Sequence, residues 1–416
     1  MTVVQIADET WRRSIEYRWN NRTRENEIAP SLKNAMLLLL NDEAFRGCWR
    51  YDKFTHQTML SDQLPHVGGM TASTPGRPIQ DHDIAYQVAA FSDVNGISFS
   101  YEIAARAIES AARQVGYNSL HEHLDAMEWD GKERLYCWLY SYLGAEHTAY
   151  TSAVGRMFLV SAMARAYRPG CQADHVMTLE GRQGGGKSTA ARILGGPFYL
   201  AKLPNLRDDT RASLALAGKW IVELGELDAL RGAAATQAKE FISRPADDVR
   251  PPWGRFTEHR PRTCVMIGTT NEEMYLTDST GARRSWPVRM DELNRDALIR
   301  DRDQLLAEAR EAYRAGEMWH PTKEMEVTFA EEQEARYKYD EWEGVIIEWL
   351  DSGSGLAKRM EVSIGAILGQ ALEIDIERWD QRAQSRVGAI MKRLGWTSER
   401  VGRGKSKTRI YHRPGA

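Results

Sequence analysis

The sequence predicts an α/β fold. A phosphate-loop nucleotide-binding core with a parallel sheet follows a mainly helical N-terminal region and precedes a C-terminal winged-helix-like unit. Three observations predict it. Gly181-Arg-Gln-Gly-Gly-Gly-Lys187-Ser188 fits the pattern G-x-x-x-x-G-K-[ST]. The apolar run His175-Val-Met-Thr-Leu179 before it has the length of a buried strand, and Ser188-Thr-Ala-Ala-Arg-Ile-Leu194 after it reads as a helix. Two further apolar runs, Trp220 to Leu224 and Cys264 to Gly268, each lead into polar residues, as strands that end at a site do.

A chain of 416 residues exceeds one core, and four segments are expected: 1–116, 117–170, 171–330 and 331–416. In the first, Leu32 to Leu40 reads as a helix stopped by Asn41-Asp42, and Trp49 to Phe54 as strand or turn. Gly68 to Pro78, rich in Gly, Thr, Ser and Pro, is a loop or lid. Ile103, Ala107, Ile108, Ala111, Ala112 and Val115 have helical spacing. The second segment carries a helix from Val154 to Tyr167, broken at Pro169-Gly170. The third is the nucleotide-binding core. The charged stretch Gln333 to Glu343 reads as a linker helix. The last segment shows three apolar helical runs, at Ile346–Leu350, Ile364–Leu372 and Gln384–Leu394, then a basic, glycine-tipped hairpin.

The loop carries the clearest chemistry. Strand, glycines and helix N-terminus together aim backbone N–H groups and a positive dipole at a polyphosphate. Gly181, Gly184, Gly185, Gly186 and Thr189 form the cradle, Lys187 reaches the β- and γ-phosphates of ATP, and the Ser188 hydroxyl ligates Mg²⁺. Lys219-Trp-Ile-Val-Glu-Leu-Gly-Glu-Leu-Asp228 is an apolar strand running into acids. One carboxylate would orient Mg²⁺ and another polarise the attacking water. Glu223, Glu226 and Asp228 compete for these roles; Glu226 is favoured as the catalytic acid with Glu223 assisting, and strand alternation puts the two on opposite faces if the strand runs through both. Asn271, after the third apolar run, suits a γ-phosphate sensor because its amide both donates and accepts; Thr270 is the alternative. Arg283 and Arg284 follow a turn and lead into Trp286-Pro287, where an arginine finger would sit.

The order of these segments, with Lys239-Glu-Phe-Ile-Ser-Arg-Pro and Arg250-Pro-Pro-Trp-Gly-Arg255 between them, resembles the virulence-associated E family of phage- and island-encoded ATPases, related to superfamily 3 helicases. The likeness spans roughly residues 117 to 290. Ala282 and Ser285 stand where the family usually has Asn and Phe, while both arginines are retained. The resemblance implies a hexameric ring moving on DNA, with Arg284 or Arg283 acting on a neighbouring subunit, and a DNA-contacting hairpin between the second and third strands.

That region holds Arg244, Arg250, Arg255, Arg260 and Arg262 interleaved with Trp253 and Phe256. Cations with stacking rings suit a loop that tracks a single strand, and Arg250, Trp253 and Arg255 are its expected contacts. A second basic patch holds Arg403, Lys405, Lys407 and Arg409, where a wing would meet duplex phosphate. The expected activity is that of an ATP-dependent DNA helicase or replication initiator; the rival is a DNA-binding regulatory or defence-type ATPase that does not unwind. Asp81-His-Asp83 and His121-Glu-His123 are read as ordinary helix and surface residues, not as primase or metal sites.

The net charge of −3 argues against uniform nucleic-acid coating. Cys48, Cys137, Cys171 and Cys264 form no C-x-x-C pair, so neither a disulfide framework nor a zinc site is expected. The run Ala35 to Leu40 is too short to span a bilayer, and no export signal is visible, so a cytoplasmic location is expected.

Overall fold

The computed structural model describes residues 9–71, 73–206, 208–225, 239–252, 254–276, 283–337, 339–352, 359–401 and 408–414. The N-terminal region is α+β. A hairpin of β1 (Tyr17–Asn20) and β2 (Glu25–Ile28) leads to α1 (Leu32–Asn41), capped by Ser31. An antiparallel sheet follows, made of β3 (Trp49–Asp52), β4 (Gln57–Leu60) and β5 (Arg77–Pro78), then α2 (Asp81–Asn95) and α3 (Tyr101–Gln114). Alanines 104, 107, 111 and 112 with Ile108 form the buried stripe of α3, and their small side chains let it approach α1 and β3 closely. Asp83 is fully buried, paired with Arg77 at 2.8 Å and accepting the N–H of Gln80, so it fastens the start of α2.

Three helices precede the central sheet: α4 (Ser119–Asp125), α5 (Trp138–Leu143) and α6 (Ala149–Tyr167). α6 begins five residues before the apolar run that predicts it, because Thr148 and Thr151 form a reciprocal cap. It is buried nearly all round and shares one apolar cluster with the sheet. His121 stacks on Tyr167 and His123 lies against Arg302; among the described residues no group of acids, histidines and cysteines is arranged to hold a metal.

The central sheet contains β6 (Val176–Glu180), β7 (Tyr199–Leu200), β8 (Ile221–Gly225), β11 (Val265–Thr270) and β12 (Ser285–Arg289). Between these lie α7 (Lys187–Gly195), α8 (Asp209–Ala215) and the antiparallel pair β9 (Ala246–Val249) and β10 (Glu258–Pro261). The order is β12-β6-β11-β8-β7, every neighbouring pair parallel. Both faces are covered, so these strands are apolar runs rather than alternating ones. Met177, Leu179, Ile221, Val265 and Ile267 face the cluster that includes α6, α7 and α9 (Arg295–Arg314). Val176, Val222, Leu224 and Met266 face a second cluster with Ala212, Phe241 and Tyr275.

The stretch 333–343, expected as a linker helix, is instead a break: α10 (Lys323–Glu334) ends there and α11 (Glu341–Asp351) starts afresh, capped by Asp340. Tyr275 and Leu276 donate backbone N–H groups to the Arg336 carbonyl, which occupies the backbone that a continuous helix would need. The C-terminal unit then runs through β13 (Glu361–Ser363), a short helical stretch at 364–371, α12 (Gln381–Arg393), β14 (Thr397–Val401) and β15 (Thr408–His412), in sheet order β13-β15-β14. Among the described residues no helix is long and apolar enough to cross a membrane.

Candidate active site

The site lies at the C-terminal ends of β6, β11 and β8. β6 ends in Glu180 and the chain turns sharply through the glycine loop into α7. Gly186 has φ +93°, and a Cβ there would sit 2.8 Å from the side chain of Leu293. Gly181, at φ +148°, would place a Cβ 2.6 Å from the Met290 carbonyl oxygen. Any other residue at either position would push the loop off the segment from Met290 to Leu293 that follows β12.

Lys187 is buried, and its ammonium donates to the carbonyls of Gly181 and Arg182 at 2.8 Å each and to Asn271 Oδ1 at 2.7 Å. Burial pushes its pKa down. Asn271 reaches it because β11 lies beside β6 in the sheet, although the two residues are 84 positions apart.

Glu223 occupies the middle of β8, on the face shared by Ile221. Alternation along the strand therefore aims it at α7. Ser188 donates its hydroxyl to Glu223 Oε1 at 2.6 Å, and Thr269 donates to the same oxygen at 3.0 Å. The other oxygen accepts from the Tyr199 hydroxyl. Burial, and then the adjoining carboxylate, raise the pKa of Tyr199. β8 ends at Gly225, and Glu226 and Asp228 lie outside the described residues. Gln183, Gly184, Gly186, Lys187, Ser188, Thr189, Glu223, Gly225, Thr269, Thr270 and Asn271 enclose a polar cleft of about 390 Å³. The structure thus brings together Lys187, Ser188, Thr189, Glu223, Asn271 and the glycine loop. Thr269 and Tyr199 are further members that the sequence did not signal, since Tyr199 is 24 residues from its partner with no patterned motif around it.

Arg283 and Arg284 are elsewhere. Ser285 pairs with Val176 and Arg289 with Glu180, so both arginines sit at the opposite end of the sheet from the loop. Four residues of strand at roughly 3.3 Å each put about 13 Å between those ends. Arg283 is exposed, and Arg284 faces Asp174 at 3.7 Å. Neither can reach its own cleft.

The basic stretch between β8 and β11 folds into the β9–β10 hairpin, but its arginines divide into two kinds. Arg262 is buried in a two-pronged pair with Asp247, at 2.6 and 2.7 Å, and lies over the Phe241 ring. Arg260 pairs with Glu258 at 2.7 Å and Arg244 with Asp209 at 2.6 Å. Arg262 and Arg244 hold the base of the hairpin and Arg260 is paired within its own strand, contrary to their grouping in a single basic surface. Arg250 and Arg255 are exposed near the tip with Phe256, and have no carboxylate partner among the described residues; Trp253 lies outside those residues. In the C-terminal unit, Arg409 and Arg400 line a cleft with Gln381, Gln384 and Ser385. Arg403, Lys405 and Lys407 are outside the described residues. Arg386 and Arg393 of α12 turn inward, to Asp340 and to Glu343 and Glu334, which leaves Arg382 and Lys392 as its exposed cations.

Comparison with known proteins adds one family. The model of the virulence-associated protein E-like domain matches residues 124–338, which contain the whole cleft and the hairpin. No curated protein matches. Among solved structures, the apo structure of the NrS-1 C terminal region is 12% identical with a TM-score of 0.45, over 88% of this chain and 95% of that one. The A form apo structure of that region is 13% identical with a TM-score of 0.41, over 70% and 77%.

Proposed function

The chain belongs to the virulence-associated protein E-like family, and from that membership and the geometry of the cleft we propose an ATP-driven DNA helicase or replication initiator of superfamily 3 type. One observation carries the reading: Lys187, Ser188, Glu223 and Asn271 converge on one cleft at the mouth of a glycine loop. The cleft fits Mg²⁺ and a nucleoside triphosphate. Its loop backbone is kept bare by glycines a Cβ would crowd, and Ser188 and Glu223 offer the hard oxygen ligands that Mg²⁺ takes.

Mg²⁺, when bound, would neutralise charge on the β- and γ-phosphates. The chain's own residues would do the rest. Lys187 exchanges two carbonyls for phosphate oxygens. Glu223 is held in aim by Tyr199 and Thr269 while Ser188 turns toward the metal. Asn271 bridges γ-phosphate and the attacking water. Glu226 is retained as the acid that polarises this water. Arg284 first, Arg283 second, completes the site of the next subunit in a hexameric ring, because neither reaches its own. Arg250, Trp253 and Arg255 grip a single strand at the tip of the hairpin. Arg409 with Arg403, Lys405 and Lys407 contacts duplex phosphate, and the order of elements from α11 to β15 supports a winged-helix reading of that unit.

The test is strand displacement on forked DNA with ATP and Mg²⁺. Unwinding that needs hydrolysis and is lost in Arg255→Ala supports the translocase. DNA-stimulated hydrolysis without displacement on any substrate favours the regulatory ATPase instead.

A further inference from the structure

The β1–β2 hairpin of the N-terminal region has no place in the mechanism above, and its construction points to a ligand. It projects from the body: every residue of β1 and β2 is exposed or half-exposed. Its base is nonetheless rigid. The fully buried Asn34 donates to the carbonyls of Glu16 and Ala29 at 2.8 Å each and accepts the Glu16 N–H at 2.9 Å, so one amide grips both feet of the hairpin. The turn is tied as well. Asn20 Oδ1 accepts the Arg22 N–H at 2.8 Å, and Arg24, at φ +56°, donates its N–H to the Asn20 carbonyl at 2.8 Å.

The two faces differ in chemistry. Tyr17 pairs with Ile28 and Trp19 with Asn26, so these four share one face, which carries no charge. Arg18, Asn20, Glu25 and Glu27 share the other. Tyr17 and Trp19 are 58% and 59% exposed, two residues apart on the uncharged face. Arg22 and Arg24 are exposed at the turn, and Arg12 and Arg13 just before β1; none of the four has a carboxylate partner among the described residues. Two adjacent open rings flanked by unpaired guanidinium groups suit unpaired bases on a phosphate backbone. A duplex, whose bases are already stacked, has nothing to offer the rings.

We propose that the β1–β2 hairpin is a contact for single-stranded nucleic acid, with Tyr17 and Trp19 stacking on bases and Arg22 and Arg24 taking phosphates. The contact needs no nucleotide in the cleft and stands or falls apart from the ATPase reading.

The test is binding of labelled oligo-dT, oligo-U and a duplex to the full chain without ATP, by fluorescence anisotropy across a salt series. Trp19→Ala should weaken single-strand binding at least about fivefold, the lower end of what one stacked base contributes. It should leave duplex binding unchanged, and Trp19→Phe, which keeps a ring, should restore affinity. Arg22→Ala with Arg24→Ala should flatten the salt slope by about 1.4, at roughly 0.7 per phosphate contact on a single strand. The two oligonucleotide arms tell DNA from RNA, and preference for either supports the proposal. Unchanged single-strand binding in Trp19→Ala overturns it, as does an equal loss on duplex. A drop in oligomer size by sedimentation with nucleic-acid binding intact makes the hairpin a protein interface and likewise overturns it.

Discussion

Replacing Lys187 by Ala separates catalysis from folding. Its ammonium makes three hydrogen bonds, to Gly181, Arg182 and Asn271, between 2.7 and 2.8 Å. Against them stands the cost of burying a cation, visible in its lowered pKa. A net hydrogen bond involving a charged group contributes about 1.5–3 kcal/mol, while desolvating a charge costs several. The two terms oppose, so stability should move by no more than about 2 kcal/mol, a shift of roughly 4–8 °C in the unfolding temperature of a domain of this size. Hydrolysis should fall far more. Loss of one preorganised donor to developing oxyanion charge costs about 2.7–4 kcal/mol, or 10²–10³ in kcat. Phosphate release at saturating ATP, with a melting curve on the same sample, reads both quantities. A folded variant hydrolysing ATP at the wild-type rate would rule out Lys187 as the phosphate ligand, because no other cation lines the cleft among the described residues.

Mixing Arg284→Ala with Lys187→Ala protein should restore part of the hydrolysis lost in each, because a shared interface keeps one intact lysine and one intact arginine; activity that only tracks the unmutated fraction rejects action between subunits. Arg262→Ala should destabilise by about 3–5 kcal/mol in urea unfolding, since it strips the two-pronged partner from the buried Asp247 and leaves it only the Ser213 hydroxyl and the more distant Arg244, whereas exposed Arg255→Ala should stay within about 0.5 kcal/mol. His175 is buried, stacked on Trp286 at 3.6 Å, and burial holds its pKa down to about 3 against an ordinary 6.5. The unfolded chain therefore takes up this proton first as pH falls, so its contribution is intact above about pH 6.5 and is lost progressively toward pH 3. His175→Phe should remove that part of the acid sensitivity, measured as unfolding midpoints at neutral and mildly acidic pH.

Features whose chemistry is contiguous could be read from the residues alone. The loop from Gly181 to Ser188, its strand and its helix are specified within about twenty consecutive residues, and β6 and α7 lie within a residue of the expected bounds. α1 and α3 were legible for the same reason: the apolar stripe is local, and serine caps stand one residue before each. How separate segments meet depends on packing that no local pattern specifies. The sheet order inserts β11 between the loop strand and the acid strand, which brings Asn271 to Lys187 and Thr269 to Glu223. Alternation on β8 offered two faces for its acids, and the docking of α7 on one of them made Glu223 the partner of Ser188. The β9–β10 arginines look alike in sequence. Which of them anchor the hairpin depends on Asp247, Glu258 and Asp209, and a carboxylate cancels a nearby cation only where packing brings it within a few ångströms and excludes water.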